Sequence, residues 1–395
     1  MTTTTKTSTP PSLLTSGDGV QITKQSSPFQ HQASFIPALT PQCHASNLIL
    51  LANGDILCAW FGGSQEGKPD ISIYLSRLPA GSTTWEPARQ MTFDATRSEQ
   101  NPVLFEVSPN HLMLLYTSQD RGNQDTAIVK RISSLDNGET WSEPGNLFSD
   151  PGTFIRQPVI VLEDSTWVVP VFKCITEPGM RWLGNDDISY VRASKDQGQT
   201  WTEYEIPQSL GCVHMEIQRL KSGKYLGLFR SRWADNVYLS RSQDGLHWDP
   251  PTATELPNPN AGICFDVLSS GRVVMVYNHS SKANAVGRRE GLYDEIAEEG
   301  DNRQNQISKH GKEAFWGAPR APLCLAWSDD EGRSWQHRVL MDGDGFCMTN
   351  NSEEKLNREL SYPSMIVDGS GTMHVAFTYW RQRIRYMRFG SEVFS

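Results

Sequence analysis

Short apolar runs, each closed by a Gly, Asn or Asp turn, follow one another along the chain. At the start they read as strands over Ser46–Leu51, Asp55–Phe61, Asp70–Ser76 and Glu86–Thr92, with Asn53-Gly54 as the first turn. The same grouping begins again at Asn101, near Gln157, near His214, near Gly262 and at Ser361. The pattern predicts six four-stranded units. The last runs out of chain after Arg383–Phe389, so Gly19–Lys24 is expected to supply its fourth strand and close a ring.

A polar signature marks the turn before each fourth strand. It is Ser, any residue, Asp, then Gly and a Trp: Ser134 to Trp141, Ser194 to Trp201, Ser328 to Trp335, and a shorter copy from Ser242 to Trp248. Ser76 to Trp85 is a worn copy lacking the Asp. The Asp side chain can accept from N–H groups of its own hairpin, Gly supplies a positive φ, and Trp packs beneath. Recurrence at roughly 50-residue intervals defines a repeat fold. The fold class is therefore all-β, a six-bladed β-propeller closed by an N-terminal strand, with seven blades as the alternative count.

Composition narrows the picture. Residues 1–18 are Thr/Ser/Pro-rich without an apolar stretch, and read as a disordered lead, not a signal peptide. Residues 19–395 form one domain. No apolar run is long enough to span a bilayer. A net charge of −9 disfavours nucleic acid and anionic membrane as partners. The seven cysteines are scattered without metal spacing, which suits buried, reduced thiols. A cytoplasmic monomer is expected, with secretion as the alternative. No cofactor is expected; Asn185-Asp186-Asp187 could hold Ca²⁺, but no ligand spacing supports it.

In a propeller of this connectivity, first-strand starts, second-strand ends and third-strand starts share one mouth. His44, His214, Glu216 and Tyr362 fall at first-strand starts. Arg230, Asn278, His279 and Tyr379 fall at second-strand ends, and Asn236, Arg320 and Arg381 at third-strand starts. Arg219 and Asp70 complete the candidate set. The connection from Ser281 to Pro319, at that mouth, is far longer than ordinary loops and reads as a lid or an insert. Ala314-Phe315-Trp316-Gly317 gives its end something to pack with.

Boxes, blades and mouth residues together resemble the sialidase superfamily, over about Ser34 to Phe389. The resemblance implies a Tyr–Glu nucleophile pair, an acid/base Asp and three arginines on a substrate carboxylate. Tyr362 looks like the Tyr, Glu216 like the Glu and Arg320 like the third arginine. At the first arginine stands His44-Ala45-Ser46, at the second Asn236, and Trp380 replaces the Glu that supports the first. The acid/base Asp has no clean counterpart, although Glu66 and Asp70 lie in the right loop. Two missing arginines weaken carboxylate binding by on the order of 3–6 kcal/mol.

This departure suits a uronic acid instead. Arg320 and Asn236 would neutralise its carboxylate, His44 or His214 would be the base, and Tyr362 the acid. The arrangement looks most like fungal L-rhamnose-α-1,4-D-glucuronate lyases, which release terminal rhamnose by β-elimination. The expected partner is an acidic oligosaccharide or polysaccharide. The alternatives are an exo-glycosidase using Tyr362 and Glu216, and a sugar-binding propeller without turnover.

Overall fold

The computed structural model describes residues 18–26, 29–296, 301 and 303–394. Most of the lead lies outside them. Six antiparallel blades surround one axis. In the first, Gln42–Leu50 is innermost, followed outward by Ile56–Gly63, Ser72–Leu78 and Arg89–Gln90. The next four blades begin with the inner strands Ser98–Ser108, Thr153–Ile155, Cys212–Arg219 and Cys264–Val267. The sixth runs from Leu360–Val367 through Met373–Tyr379 to Arg383–Phe389.

The burial pattern explains why the strands read as apolar runs and not as alternations. Middle strands such as Ile56–Gly63 are buried on both faces, because each blade packs between two others. Each of the six seams between neighbouring blades holds its own apolar cluster. Outer strands such as Arg89–Gln90 face solvent.

The N-terminal segment closes the ring one strand further along than expected. Phe29–Phe35, not Gly19–Lys24, pairs with Arg383–Phe389. Ile22–Ser26 then pairs outside Phe29–Phe35 as a fifth strand. Apolar content decides the order. Phe29 and Ala33 are buried in the seam between blades five and six, with the Phe29 ring 5.4 Å from that of Phe389.

The four boxes fold as their chemistry dictates. In the first, Asp136 accepts from Thr140 N at 2.9 Å, Ser134 Oγ from Gly138 N at 2.8 Å, and Trp141 Nε1 donates to Gly138 O at 3.1 Å. Gly138 has φ +87°.

The long connection is a roof. Leu292, Tyr293, Ile296, Ala314 and Trp316 form an apolar cluster with Phe154, Phe172, Trp182 and Val213 of the blades below. Gln304–Asn305 pairs with Met180–Arg181 from blade three. Gly67 permits the close approach: a Cβ there would lie 2.6 Å from Ile296 Cδ1, and its φ is +93°.

Candidate active site

A backbone irregularity recurs where the inner strands reach the mouth. Ala45, Asn101, His214 and Tyr362 all have left-handed φ, between 49° and 59°. At each the register slips: between His44 and Asn47, Gln100 and Val103, Val213 and Glu216, and Ser361 and Ser364. Such bulges re-aim side chains. Here they gather His44, His214 and Tyr362 at one place. The His44 ring lies 4.2 Å from that of Tyr362, and His214 5.6 Å from it on another side.

Arginines surround Tyr362. The guanidinium carbons of Arg156, Arg230 and Arg320 lie 5.5, 5.4 and 5.6 Å from its ring centre. Arg230 Nη1 donates to the Tyr362 hydroxyl, and its Nε donates to Asn260 Oδ1 at 2.7 Å. Arg156 Nη2 donates to Ser46 O at 2.9 Å and approaches the Tyr362 and Pro363 carbonyls, tying together the bulges of blades one and six. Arg320 Nη1 lies 3.2 Å from Glu359 Oε2, and its Nη2 donates to Asn260 O at 3.1 Å. Arg381 Nε donates to Glu359 Oε1 at 3.0 Å, while its Nη1 meets Glu66.

Of these four buried guanidinium groups, Arg320 and Arg381 pair with the buried carboxylates Glu359 and Glu66, while Arg156 and Arg230 pair with neither. Burial alone would raise Glu359, but Arg381 and Arg320 hold it down at about 2. Burial and the charges of Arg232 and Arg320 push Arg230 down to about 9. Among the described residues, Arg230 Nη2 and Arg156 Nε and Nη1 have no hydrogen-bond acceptor. An acceptor-rich anion matches these surplus donors.

The histidines are neutral in this setting. Burial, then Arg381 and Arg320, hold His44 well below the usual imidazole range; burial, then Arg230 and Arg232, do the same for His214. His44 Nδ1 lies 2.8 Å from Thr378 Oγ1 and 3.4 Å from Glu359 Oε1. A proton on Nδ1 suits both acceptors and leaves Nε2 its lone pair. That Nε2, like His214 Nδ1, has no hydrogen-bond partner among the described residues.

Several candidates stand elsewhere. Glu216 does not pair with Tyr362; its Oε2 accepts from Phe265 N at 3.0 Å, and burial raises it well above the usual carboxylate range. The slip after Val213 breaks the two-residue alternation that would have put His214 and Glu216 on one face. Arg320 is held by Glu359, so Arg230 presents the freer guanidinium. Asn236 Nδ2 donates to Thr254 O within its own blade. Arg219, half-exposed, pairs with Glu163. Asn278 donates to Leu360 O at 2.7 Å. His279 stacks on His337 at 4.1 Å, and Tyr379 on Trp380 at 4.7 Å. Asp70 is exposed and accepts from Ser64; Glu66, from the same loop, is the carboxylate that reaches the cluster. Asp187 is bound by Arg232 and Trp182, and Asp186 by Gln306.

Glu359, Arg156 and Asn260 are members that the sequence reading missed. Arg156 could have been found, because it opens blade three as His44 opens blade one. Glu359 and Asn260 sit outside the strands and give no periodic signal.

The roof closes over this cluster. Arg289, Leu292, Trp316, Arg320, Cys347, Glu359 and Arg381 line a cavity of only about 10 Å³. Trp316 covers Arg230 and Arg232 at 5.7 and 5.3 Å, and its N–H is held by Leu183 O at 3.0 Å.

Blades, boxes and mouth define a sialidase-like propeller. The chain belongs to the BNR repeat-like domain family, which it matches over residues 54–375. Its backbone is similar to a Hadza microbial sialidase, Hz136, with a TM-score of 0.66 and 14% identity over 89% of this chain and 66% of that one. Trypanosoma rangeli sialidase gives 0.62 and 12%, over 95% of this chain and 58% of that one. A protein of unknown function from Dyadobacter fermentans DSM 18053 gives 0.63 and 14%, over 90% of this chain and 97% of that one. The chain thus spans 58% to 66% of these two sialidases, and at such identity the likeness is one of fold. No curated protein matches the chain in sequence.

Proposed function

We propose that this propeller is a carbohydrate-active enzyme that cleaves a terminal sugar from an acidic glycan by β-elimination, releasing L-rhamnose from D-glucuronate. The pairing of His44 with Tyr362 carries the reading. A neutral imidazole with a free Nε2 stands beside a phenol whose hydroxyl is held by an arginine. His44 takes the proton from C5 of the uronate, and that electron pair becomes the C4–C5 double bond. The C4–O bond breaks, and Tyr362 gives its proton to the departing oxygen. Charge that develops on the uronate carboxylate is met by Arg230, with Arg156 beneath the Tyr362 ring. His214 supports the same reading as a second neutral imidazole at the phenol.

One observation favours a second reading. Trypanosoma rangeli sialidase has been solved with 2,3-difluorosialic acid as a covalent intermediate, and its backbone is similar to this one. Hydrolysis with Tyr362 as nucleophile is the corresponding chemistry. It lacks its activating carboxylate here, because Glu216 is bonded to Phe265 N.

A panel of rhamnosylated uronate and sialylated oligosaccharides separates the readings. Elimination creates a conjugated double bond, so ultraviolet absorbance rises as rhamnose appears. Release of sialic acid without an absorbance change would favour hydrolysis, and binding without release would favour a lectin.

A further inference from the structure

The chamber at Arg320, Glu359 and Arg381, beside the Tyr362 cluster, is too small for a sugar, yet a second cavity adjoins it. On the outer side of the roof, Leu183, Asn185, Arg288, Arg289, Asn305 and Gln306 are among the residues that line about 360 Å³, within the range of small-ligand sites. Arg289 lines both spaces. It is buried, its backbone N donates to Trp316 O at 3.1 Å, and its Nη2 donates to Leu292 O at 3.0 Å and Glu295 Oε2 at 2.6 Å. Its Nε has no hydrogen-bond partner among the described residues; the nearest carboxylate oxygen, on Asp294, is 3.7 Å away. Glu295 in turn accepts from Asn350 N. Arg289 therefore stands between the outer cavity and the chamber, with Trp316 on the chamber side tied to Leu183 of the outer cavity through Leu183 O.

We propose that the outer cavity binds the remainder of an acidic glycan, and that Arg289 with Trp316 is the gate through which the reacting end passes inward. An anionic sugar unit replaces Glu295 on Arg289, and the wall parts. The gate follows from the geometry alone; the glycan as occupant rests on the proposed function. Arg288 stands at the rim with Glu313 against it at 2.9 Å, and Glu290 and Glu313 are both exposed acidic groups there.

A thiol reagent reads the gate without turnover. Cys347 lines the chamber and is buried, while Cys58 is buried in the second strand of blade one, in the apolar seam with blade six. Modification of both is followed by mass spectrometry in a Tyr362→Phe background, so that no glycan is consumed. Arg289→Ala should speed the reaction of Cys347 by about tenfold or more, with Arg289→Lys between it and the parent. Cys58 should be unchanged. Equal acceleration at both thiols, or at neither, overturns the gate. The reacting end, once through the gate, covers the chamber wall that Cys347 lines, so an oligosaccharide containing uronate should slow Cys347 modification in the parent, and a neutral one of equal length should not. Protection by both or by neither overturns the acidic occupant, whatever chemistry the site performs.

Discussion

Two buried histidines and one buried glutamate hold unusual protonation states, and each leaves a pH signature. Burial and the nearby arginines lower His44 and His214 from 6.5 in the folded chain. Below that pH the unfolded chain takes up protons that the folded chain refuses, so stability falls as pH drops. For catalysis, the acid limb of kcat/KM should lie below the ordinary imidazole range. A limb at or above it would contradict a neutral base. His44→Ala should lower kcat by about 10²–10⁴, as should Tyr362→Phe, in steady-state assays. Glu216 is shifted the other way, upward from 4.5 by burial. As pH rises past that value, the unfolded chain releases a proton that the folded chain keeps, so stability falls. Glu216→Gln should therefore melt higher than the parent at neutral pH, with the gap closing in acid, and should keep its kcat. A large loss of kcat would place Glu216 back beside Tyr362. The sequence made His44 and Tyr362 visible because both stand at strand starts. It did not show that Tyr362 bonds Arg230 instead of Glu216, because nothing in His214-Met215-Glu216 signals a bulge.

At the level of elements, the boxes fasten strands and leave the chemistry alone. Gly198 has φ +84°, and a Cβ there would sit 3.2 Å from Trp167 Cζ3. Gly198→Ala should cost about 1–2 kcal/mol of stability, read from thermal melts, with turnover unchanged. Box glycines were legible because only one residue type fits that φ. The roof was legible by its length and by the aromatic run near Trp316. Its seat was not, because Tyr293 is held by Gln119 and Gln124, more than a hundred and fifty residues earlier in the chain. Contacts at such separation leave no local pattern.

For the whole molecule, closure is the decisive event. A ring whose last blade lacks its outer strand exposes an unpaired edge. Deletion of residues 1–26 removes the outermost pairing strand and the backbone bonds of Gly19 and Gln21 to Phe35, Thr83 and Trp85, but leaves Phe29–Phe35 in place, and should leave a cooperative melt. Deletion of residues 1–35 also removes Phe29–Phe35, and with it the Phe29 and Ala33 contribution to the seam between blades five and six. That chain should lose its cooperative transition in circular dichroism; equal melts for both would contradict closure by Phe29–Phe35. Six units could be counted along the sequence. Which N-terminal strand shuts the ring depended on burial against Phe389, which the turn pattern does not encode.

The central claim is that His44 and Tyr362 break a sugar–uronate bond without adding water across it. Mass spectrometry of the products formed in water labelled with heavy oxygen tests this most directly. Elimination predicts an unsaturated uronate, lighter than the saturated sugar by one water, and no label in either product. Label incorporated at the cleaved bond would contradict it.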